Sequence, residues 1–424
     1  MAVKVAVVGG GSSYTPELVE GLVAHADRLP VDELVLLDVN TERLEVVAGL
    51  AQRIAARAGW RDGVVTWTTD QDRALDGADF VIVQLRVGGQ QARLRDETVP
   101  NRFGCIGQET TGAGGFTKAL RTVPVVLDLA ENIAQRAAPE AWIVDFTNPV
   151  GIMTQALLDD GHRAVGLCNV AISFQRDFAE WLGVEPTRVE LDHIGLNHLT
   201  WERAIRVDGR DVLPDMLDSK RDRIADLVKL PASLLDTLRA VPSYYLRYYY
   251  LPDEVLAEQL NQPSRAEAVM DIEAQLLEMY RDPTLDTKPA LLEQRGGAYY
   301  SEAAAQLLAS LHDGKGDVQV VNVHNGGMVD GLPPDAVVEV PAVISRDGAR
   351  PMTSDPLQPE MLGLVQQVKA YEDLTLSAAR SGSRNTALKA LLANPLVASH
   401  RTAEPLLEAL LNANRHCLPR FFGP

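Results

Sequence analysis

The first forty residues constrain the fold more than any other stretch. Val3-Lys4-Val5-Ala6-Val7-Val8 is a nearly continuous apolar run, as expected of a strand covered on both faces. Gly9-Gly10-Gly11-Ser12-Ser13-Tyr14 follows at once. Thr15 then reads as a helix N-cap and Pro16 as the first helical residue. Leu18, Leu22 and Val23 give that helix an apolar face, and a second strand, Glu33–Leu37, ends on Asp38. Strand, glycine turn, helix, strand and terminal acid together make a unit suited to a dinucleotide. Gly9, Gly10 and Gly11 let the backbone approach a pyrophosphate, with Ser12 and Ser13 beside them at the helix N-terminus. Asp38 is placed to take ribose hydroxyls and disfavours a 2′-phosphate, so NAD is expected over NADP. The run departs from Gly-x-Gly-x-x-Gly in one place, since Tyr14 stands where the third glycine would be.

The alternation of strands and helices continues. Strands are read at Val64–Trp67, Asp79–Gln84, Ala141–Phe146 and in the run ending at Cys168, with a helix over Lys118–Arg136. Gly107–Gly115 reads as a long glycine-rich loop at the carboxyl ends of the strands. The alternation weakens near residue 196. Helices dominate beyond it, at Glu254–Arg281, Leu291–Leu311, Pro359–Arg380 and Ala403–Ala413, with β runs at Val318–Val323 and Ala336–Val343. Trp67, Trp142 and Trp201 read as core, and Cys105 and Cys417 as structural. The expected fold is α/β: a Rossmann-like doubly wound parallel sheet over residues 1–195, then a mixed, largely helical substrate domain over 196–424. That is the plan of lactate and malate dehydrogenases.

Composition narrows the function. The formal charge is −18 and no Lys/Arg-rich run stands out, which argues against nucleic acid. Three widely spaced Cys give neither a disulfide framework nor a CxxC zinc site. No leader is read before the first strand, and no apolar run approaches ~20 residues, so a cytoplasmic protein without a membrane partner is expected.

Two further segments carry chemistry. Ala164–Cys168 delivers a thiol at a strand end, and Gly195-Leu196-Asn197-His198 delivers an imidazole. Cys168 and His198 can hold one metal ion and leave coordination positions open for a substrate. A buried thiol and an ordinary loop histidine remain the plain alternative. By ligand softness the pair suits zinc. His193 reads as a supporting or packing residue. Tyr244–Tyr250 holds five of the ten tyrosines together with Arg247. It is either a packing corner or the source of a phenol base and a cation.

Taken in order, these segments resemble the family-four glycoside hydrolases, which depend on NAD and a metal. The resemblance rests on Gly9–Glu17, Arg86-Val87-Gly88, Gly107–Gly115, Thr147-Asn148-Pro149, Cys168-Asn169-Val170, Gly195–His198 and Tyr245-Leu246-Arg247-Tyr248-Tyr249. It spans nearly the whole chain, and Cys-Asn-Val is most similar to the 6-phospho-β-glucosidases. The resemblance implies that the Gly9–Ser13 turn holds NAD and that Cys168 and His198 hold a divalent metal, usually Mn2+. It implies that Tyr245 is the base and that Arg93, Asn148, Asn169 and Arg265 contact the substrate. It further implies oxidation at C3 of a phosphorylated β-glucoside, deprotonation at C2, β-elimination, water addition and re-reduction, in a homodimer or homotetramer. Family four is a known exception to two-carboxylate glycoside hydrolysis.

Two departures bear on specificity. Related phospho-α-glucosidases carry Asp after the cysteine, whereas Asn169 cannot donate a proton to a leaving group. The phospho-β members commonly read Cys-Asn-x-Pro, and this chain has Ala171. Asn322-Val323-His324-Asn325-Gly326-Gly327 is also atypical. The alternatives are a family-four glycosidase acting on another, unphosphorylated glycoside, and an NAD-dependent 2-hydroxy acid dehydrogenase. A family-four glycosidase requires NAD but accumulates no NADH, and a dehydrogenase accumulates one per turnover. Absorbance of reduced nicotinamide during turnover separates them, and none is expected to build up.

Overall fold

The computed structural model describes residues 3–60, 64–296, 299–397 and 399–423. Six strands run parallel: β1 (Val3–Val8), β2 (Val31–Leu37), β3 (Val65–Thr68), β4 (Phe80–Val83), β5 (Trp142–Asp145) and β6 (Ala164–Gly166). Their spatial order is 3-2-1-4-5-6, the doubly wound order expected from the alternation. Helices cover both faces, so β4 is buried at all four positions and β1 at all but Lys4.

The second half of the chain extends the same sheet. β7 (Val189–Leu196), β8 (Leu199–Val207), β9 (Arg210–Asp211), β10 (Val241–Pro242), β11 (Val318–His324), β12 (Val337–Ser345) and β13 (Gly348–Pro351) pair antiparallel. From β6 the path continues through β11, β12, β7 and β8 to β10. The β7–β8 hairpin and the short strands were not legible as strands, because polar residues break their alternation.

Two contacts hold this extension in place. β6 meets β11 through one pair, Gly166 opposite Asn322, and β12 meets β7 through Glu339 opposite Gly195. A Cβ on Gly166 would lie 2.0 Å from Thr154 Oγ1 and 2.9 Å from Asn322 Cβ. Gly195 has φ +147°, and a Cβ there would lie 2.0 Å from the Leu199 carbonyl. Cys168 and His198 each sit two residues beyond one of the strands ending at these junctions, β6 and β7.

Several expectations need correction. The helix expected from Lys118 begins at Gly112 and runs to Arg136, so the last four residues of the glycine-rich "loop" are helix. Its glycines serve close packing: a Cβ on Gly114 would lie 2.2 Å from the Gln108 carbonyl, and one on Gly115 2.5 Å from Thr110 C. The single helix expected over Glu254–Arg281 is two, Pro252–Asn261 and Arg265–Tyr280. Pro263 cannot continue a helix, and Ser264 with Glu267 forms a capping box that starts the next one. The N-cap of the first helix is Tyr14, not Thr15, whose buried hydroxyl instead accepts from Gln84 Nε2 at 3.1 Å. Leu291–Leu311 divides into a 3-10 turn, Ala290–Arg295, and a helix, Tyr300–Asp313; residues 297 and 298 between them lie outside the described residues. Trp201 is fully buried, but Trp67 and Trp142 are only half-buried, Trp142 lying under the Arg163 guanidinium. No helix among the described residues is long and apolar enough to cross a membrane.

Gly166→Ala forces Thr154, Val150 or Asn322 to move. The expected cost is about 1–3 kcal/mol of stability, seen as a lower melting temperature, together with a loss of activity from a displaced Cys168.

Candidate active site

A cavity of about 1440 Å³ opens at the carboxyl ends of the parallel strands. One end is the first βα turn. Gly9, Gly11, Ser12 and Asp38 line it. The turn is a cradle without room for side chains: a Cβ would lie 2.6 Å from the Gln84 carbonyl at Gly9 and 2.8 Å from Leu36 Cβ at Gly10. At Gly11 it would lie 2.8 Å from Asp38 Oδ2, which accepts the Gly11 N–H at 3.0 Å. Such a backbone surface, closed by an acid at the end of β2, fits a dinucleotide. Gly10 and Ser13 do not line the cavity. The buried Ser13 hydroxyl donates to Glu273 Oε1 at 3.2 Å, so its side chain braces the turn from behind.

Glu273 ties that brace together. It accepts from Arg295 Nη2 at 2.8 Å and meets Arg43 Nη2 at 3.3 Å, while Arg43 Nε donates to the Gly11 carbonyl at 2.6 Å. Burial alone would raise the carboxyl, but Arg295 and Arg43 outweigh it and hold it down at about 2.

The other end of the cavity carries the remaining expected residues. Arg93, Asn148, Asn169, Tyr245 and Arg265 all line it. Asn148 has a buried Oδ1 with no hydrogen-bond partner among the described residues, an acceptor available to a ligand. Arg93 Nε lies between two carboxylates, 2.7 Å from Glu97 and 3.3 Å from Glu109. Arg265 is exposed at the rim and donates to the Gln294 carbonyl at 2.7 Å.

Cys168 and His198 are buried just behind this end and do not line the cavity. The Tyr245 ring lies against His198, with centroids 3.6 Å apart and planes 9° apart. Thr110 defines the imidazole. Its hydroxyl donates to Gln108 Oε1 at 2.8 Å, so its oxygen accepts Nδ1–H of His198 at 2.9 Å. Nε2 then keeps its lone pair, the arrangement common among metal-ligating histidines. Burial pushes the His198 pKa down to about 4, which keeps the ring neutral. Burial pushes the Cys168 thiol up, and Glu339 adds to this, while the Val170 and Asn169 N–H groups and the Asn197 side chain pull it down. A neutral imidazole and a buried thiol are a donor set that suits a cation bound through two protein ligands. Among the described residues, no group of three or more His, Cys, Asp or Glu side chains is placed to hold a metal.

The cation of the tyrosine cluster is engaged elsewhere: the Arg247 guanidinium reaches Tyr244 Oη at 3.0 Å and Glu258, and burial holds the Tyr245 phenol well above its ordinary value.

Sequence reasoning passed over Glu109, Lys118, Glu273, Tyr300 and Glu339. Glu109 is buried and paired with Arg86 and Lys118, the latter at 2.8 Å. Burial tends to raise its carboxyl, but Arg86, Lys118 and Arg93 hold it well below the usual range. Burial pushes Lys118 down to about 8, against the pull of Glu109. Glu109 lay within the glycine-rich motif and could have been noticed there. Glu273, Tyr300 and Glu339 reach the site only through tertiary contacts.

The sheet order and the glycine cradle define a dinucleotide-fold protein with a thiol–imidazole pair beside its cavity. The sequence profile of "Family 4 glycosyl hydrolase" matches residues 4–184, and that of the "Family 4 glycosyl hydrolase C-terminal domain" matches 193–397. The chain belongs to glycosyl hydrolase family 4. It is 41% identical to a probable 6-phospho-beta-glucosidase of Bacillus subtilis, over 99% of this chain and 98% of that protein. It superposes on the 6-phospho-beta glucosidase of Thermotoga maritima, solved with manganese, NAD+ and glucose-6-phosphate. The TM-score is 0.92 at 36% identity, with 98% of each chain covered. A malate dehydrogenase of Plasmodium falciparum shares the fold alone, with a TM-score of 0.54 at 14% identity.

The Glu273 cluster yields a prediction. Its folded pKa of about 2 lies below the ordinary 4.5. Its stabilisation is therefore complete above about 4.5 and is lost as pH falls through about 2. Glu273→Gln should cost about 1–3 kcal/mol at pH 7 and weaken NAD binding. Melting curves from pH 7 to 2 should converge with those of the unaltered chain at the acid end.

Proposed function

We propose that this chain is a 6-phospho-β-glucosidase that uses NAD and a divalent metal, Mn2+ by likeness to its relatives. The observation that carries the reading is one cavity with a nucleotide cradle at one end and the Tyr245 phenol, backed by His198, at the other. In this reading Gly9, Gly10, Gly11, Ser12, Ser13 and Asp38 hold NAD, Ser13 through its backbone. Cys168 and His198 hold the metal. When bound, NAD supplies reversible oxidation at the sugar C3, and the metal supplies Lewis acidity for the oxygens at C2 and C3.

The chain's own residues do the rest. Tyr245 takes the proton from C2, the glycosidic oxygen leaves from C1, and Tyr245 returns a proton to C2 when water adds at C1. The phenol is protonated as the apoprotein folds, so it becomes a base only with the cationic ligands in place. Asn169 offers no acid to the leaving group, which favours a β-linked substrate over the α-linked ones of relatives with Asp there. Asn148 and Asn169 orient sugar hydroxyls. Arg265, the more exposed of the two expected arginines, takes the 6-phosphate, and Arg93 supports it from within the Glu97–Glu109 network. Residues 1–195 form the nucleotide-holding part and 196–424 the catalytic part. The reading places the enzyme in the reducing cytoplasm, where Cys168 stays a thiol, as a homodimer or homotetramer.

One experiment in heavy water tests substrate and mechanism together. p-Nitrophenyl β-glucosides with and without a 6-phosphate are offered with NAD and Mn2+. Only the phosphorylated compound should be cleaved, and its sugar should carry deuterium at C2. Tyr245→Phe should lower turnover about 10²–10⁴-fold with little change in substrate binding. Equal cleavage of the unphosphorylated compound overturns the phosphate assignment. Unlabelled C2, or normal turnover in the variant, overturns the base.

A further inference from the structure

His193 and the Asn322–Asn325 stretch have no role in the reaction as derived so far. The fold brings them together. His193 on β7 is fully buried, with Nδ1 2.5 Å from Glu202 Oε1 on β8 and Nε2 3.1 Å from Glu339 Oε1 on β12. The other oxygen of Glu339 accepts from Asn197 Nδ2 at 2.7 Å and from Asn322 Nδ2 at 3.2 Å. None of these five side chains lines the cavity, so none reaches a substrate held there. Two carboxylates and an imidazole buried together are costly unless they are paired and hydrogen-bonded.

Glu339 touches both segments that carry the proposed ligands. Asn197 directly precedes His198. Asn322 faces Gly166, two residues before Cys168, across the single β6–β11 pair. His198 itself has φ +64°, a left-handed backbone that a non-glycine residue holds only when its surroundings over-determine it. We propose that Glu339, gripped by the Glu202–His193 pair, is a positioning residue that clamps Asn197 and Asn322 and so fixes Cys168 and His198 in one geometry for the cation. The inference rests on the metal reading above.

The test measures Mn2+ dissociation constants by the electron paramagnetic resonance of free Mn2+, on NAD-loaded protein. It compares the unaltered chain, Glu339→Gln, Asn197→Ala and the double variant. Each single change should weaken Mn2+ binding about 10–100-fold, as for other residues that orient metal ligands, with NAD affinity unchanged. The double variant should bind no more weakly than the weaker single, because the two side chains act in series. With Co2+ in place of Mn2+, the thiolate-to-cobalt absorption should shift in both singles. Unchanged Mn2+ affinity in either folded variant, or additive losses in the double, overturns the clamp and leaves the metal pair standing. If Glu339→Gln does not fold, the half-buried Asn197 carries the test alone, and unchanged affinity in Asn197→Ala overturns it. No Mn2+ binding by the unaltered chain overturns the metal reading and the clamp together.

Discussion

A single strand pair, Gly166 opposite Asn322, carries the sheet from its parallel half to its antiparallel half. The approach is too close for any side chain at residue 166. Parallel and antiparallel ladders differ in hydrogen-bond geometry, so a sheet that changes type needs a defined seam. Here the seam is short, and it lies at the carboxyl end of β6. The chain leaving that strand enters the segment that bears Cys168. The chain leaving β7, reached through the neighbouring Glu339–Gly195 pair, enters the turn that bears His198. The seam that joins the two halves thus also sets where the segments bearing Cys168 and His198 leave the sheet.

The charges around the cavity are sorted by burial and pairing. Glu109 and Glu273 stay ionised because each faces more than one cation. His198 stays neutral because burial outweighs the carboxylates near it. His193, only five residues away, is pulled the opposite way: burial alone would lower it, but Glu202 and Glu339 raise it to about 10. Two histidines of one hairpin are thus pushed in opposite directions, one toward the neutral ring and the other toward the cation. A net charge of −18 coexists with a cavity that is rich in arginine, because the site recruits Arg86, Arg93, Arg265 and Arg295 from segments far apart in the chain.

The chain alone determined the nucleotide half. The apolar runs of β1, β2 and β4, the glycine turn and Asp38 are local features, and local propensity and period fix them. The family resemblance likewise singled out Cys168, His198 and Tyr245 as candidates, because each sits in a short distinctive segment. Tertiary structure decided the rest. Gly112, Gly114 and Gly115 looked like loop residues, yet they let a helix start against the Gln108 and Thr110 backbone, a close approach no local pattern announces. The polar β7–β8 hairpin becomes strand because its two arms pair with each other along their length, with β12 joined to it at Gly195. The direction of Arg247, toward Tyr244 and Glu258, depends on the helix Pro252–Asn261 that carries Glu258. Glu273 lies 260 residues from Ser13 and Glu339 146 from His193. A sequence displays spacing along the chain, whereas these charges are paired across it, and only the folded sheet sets that distance.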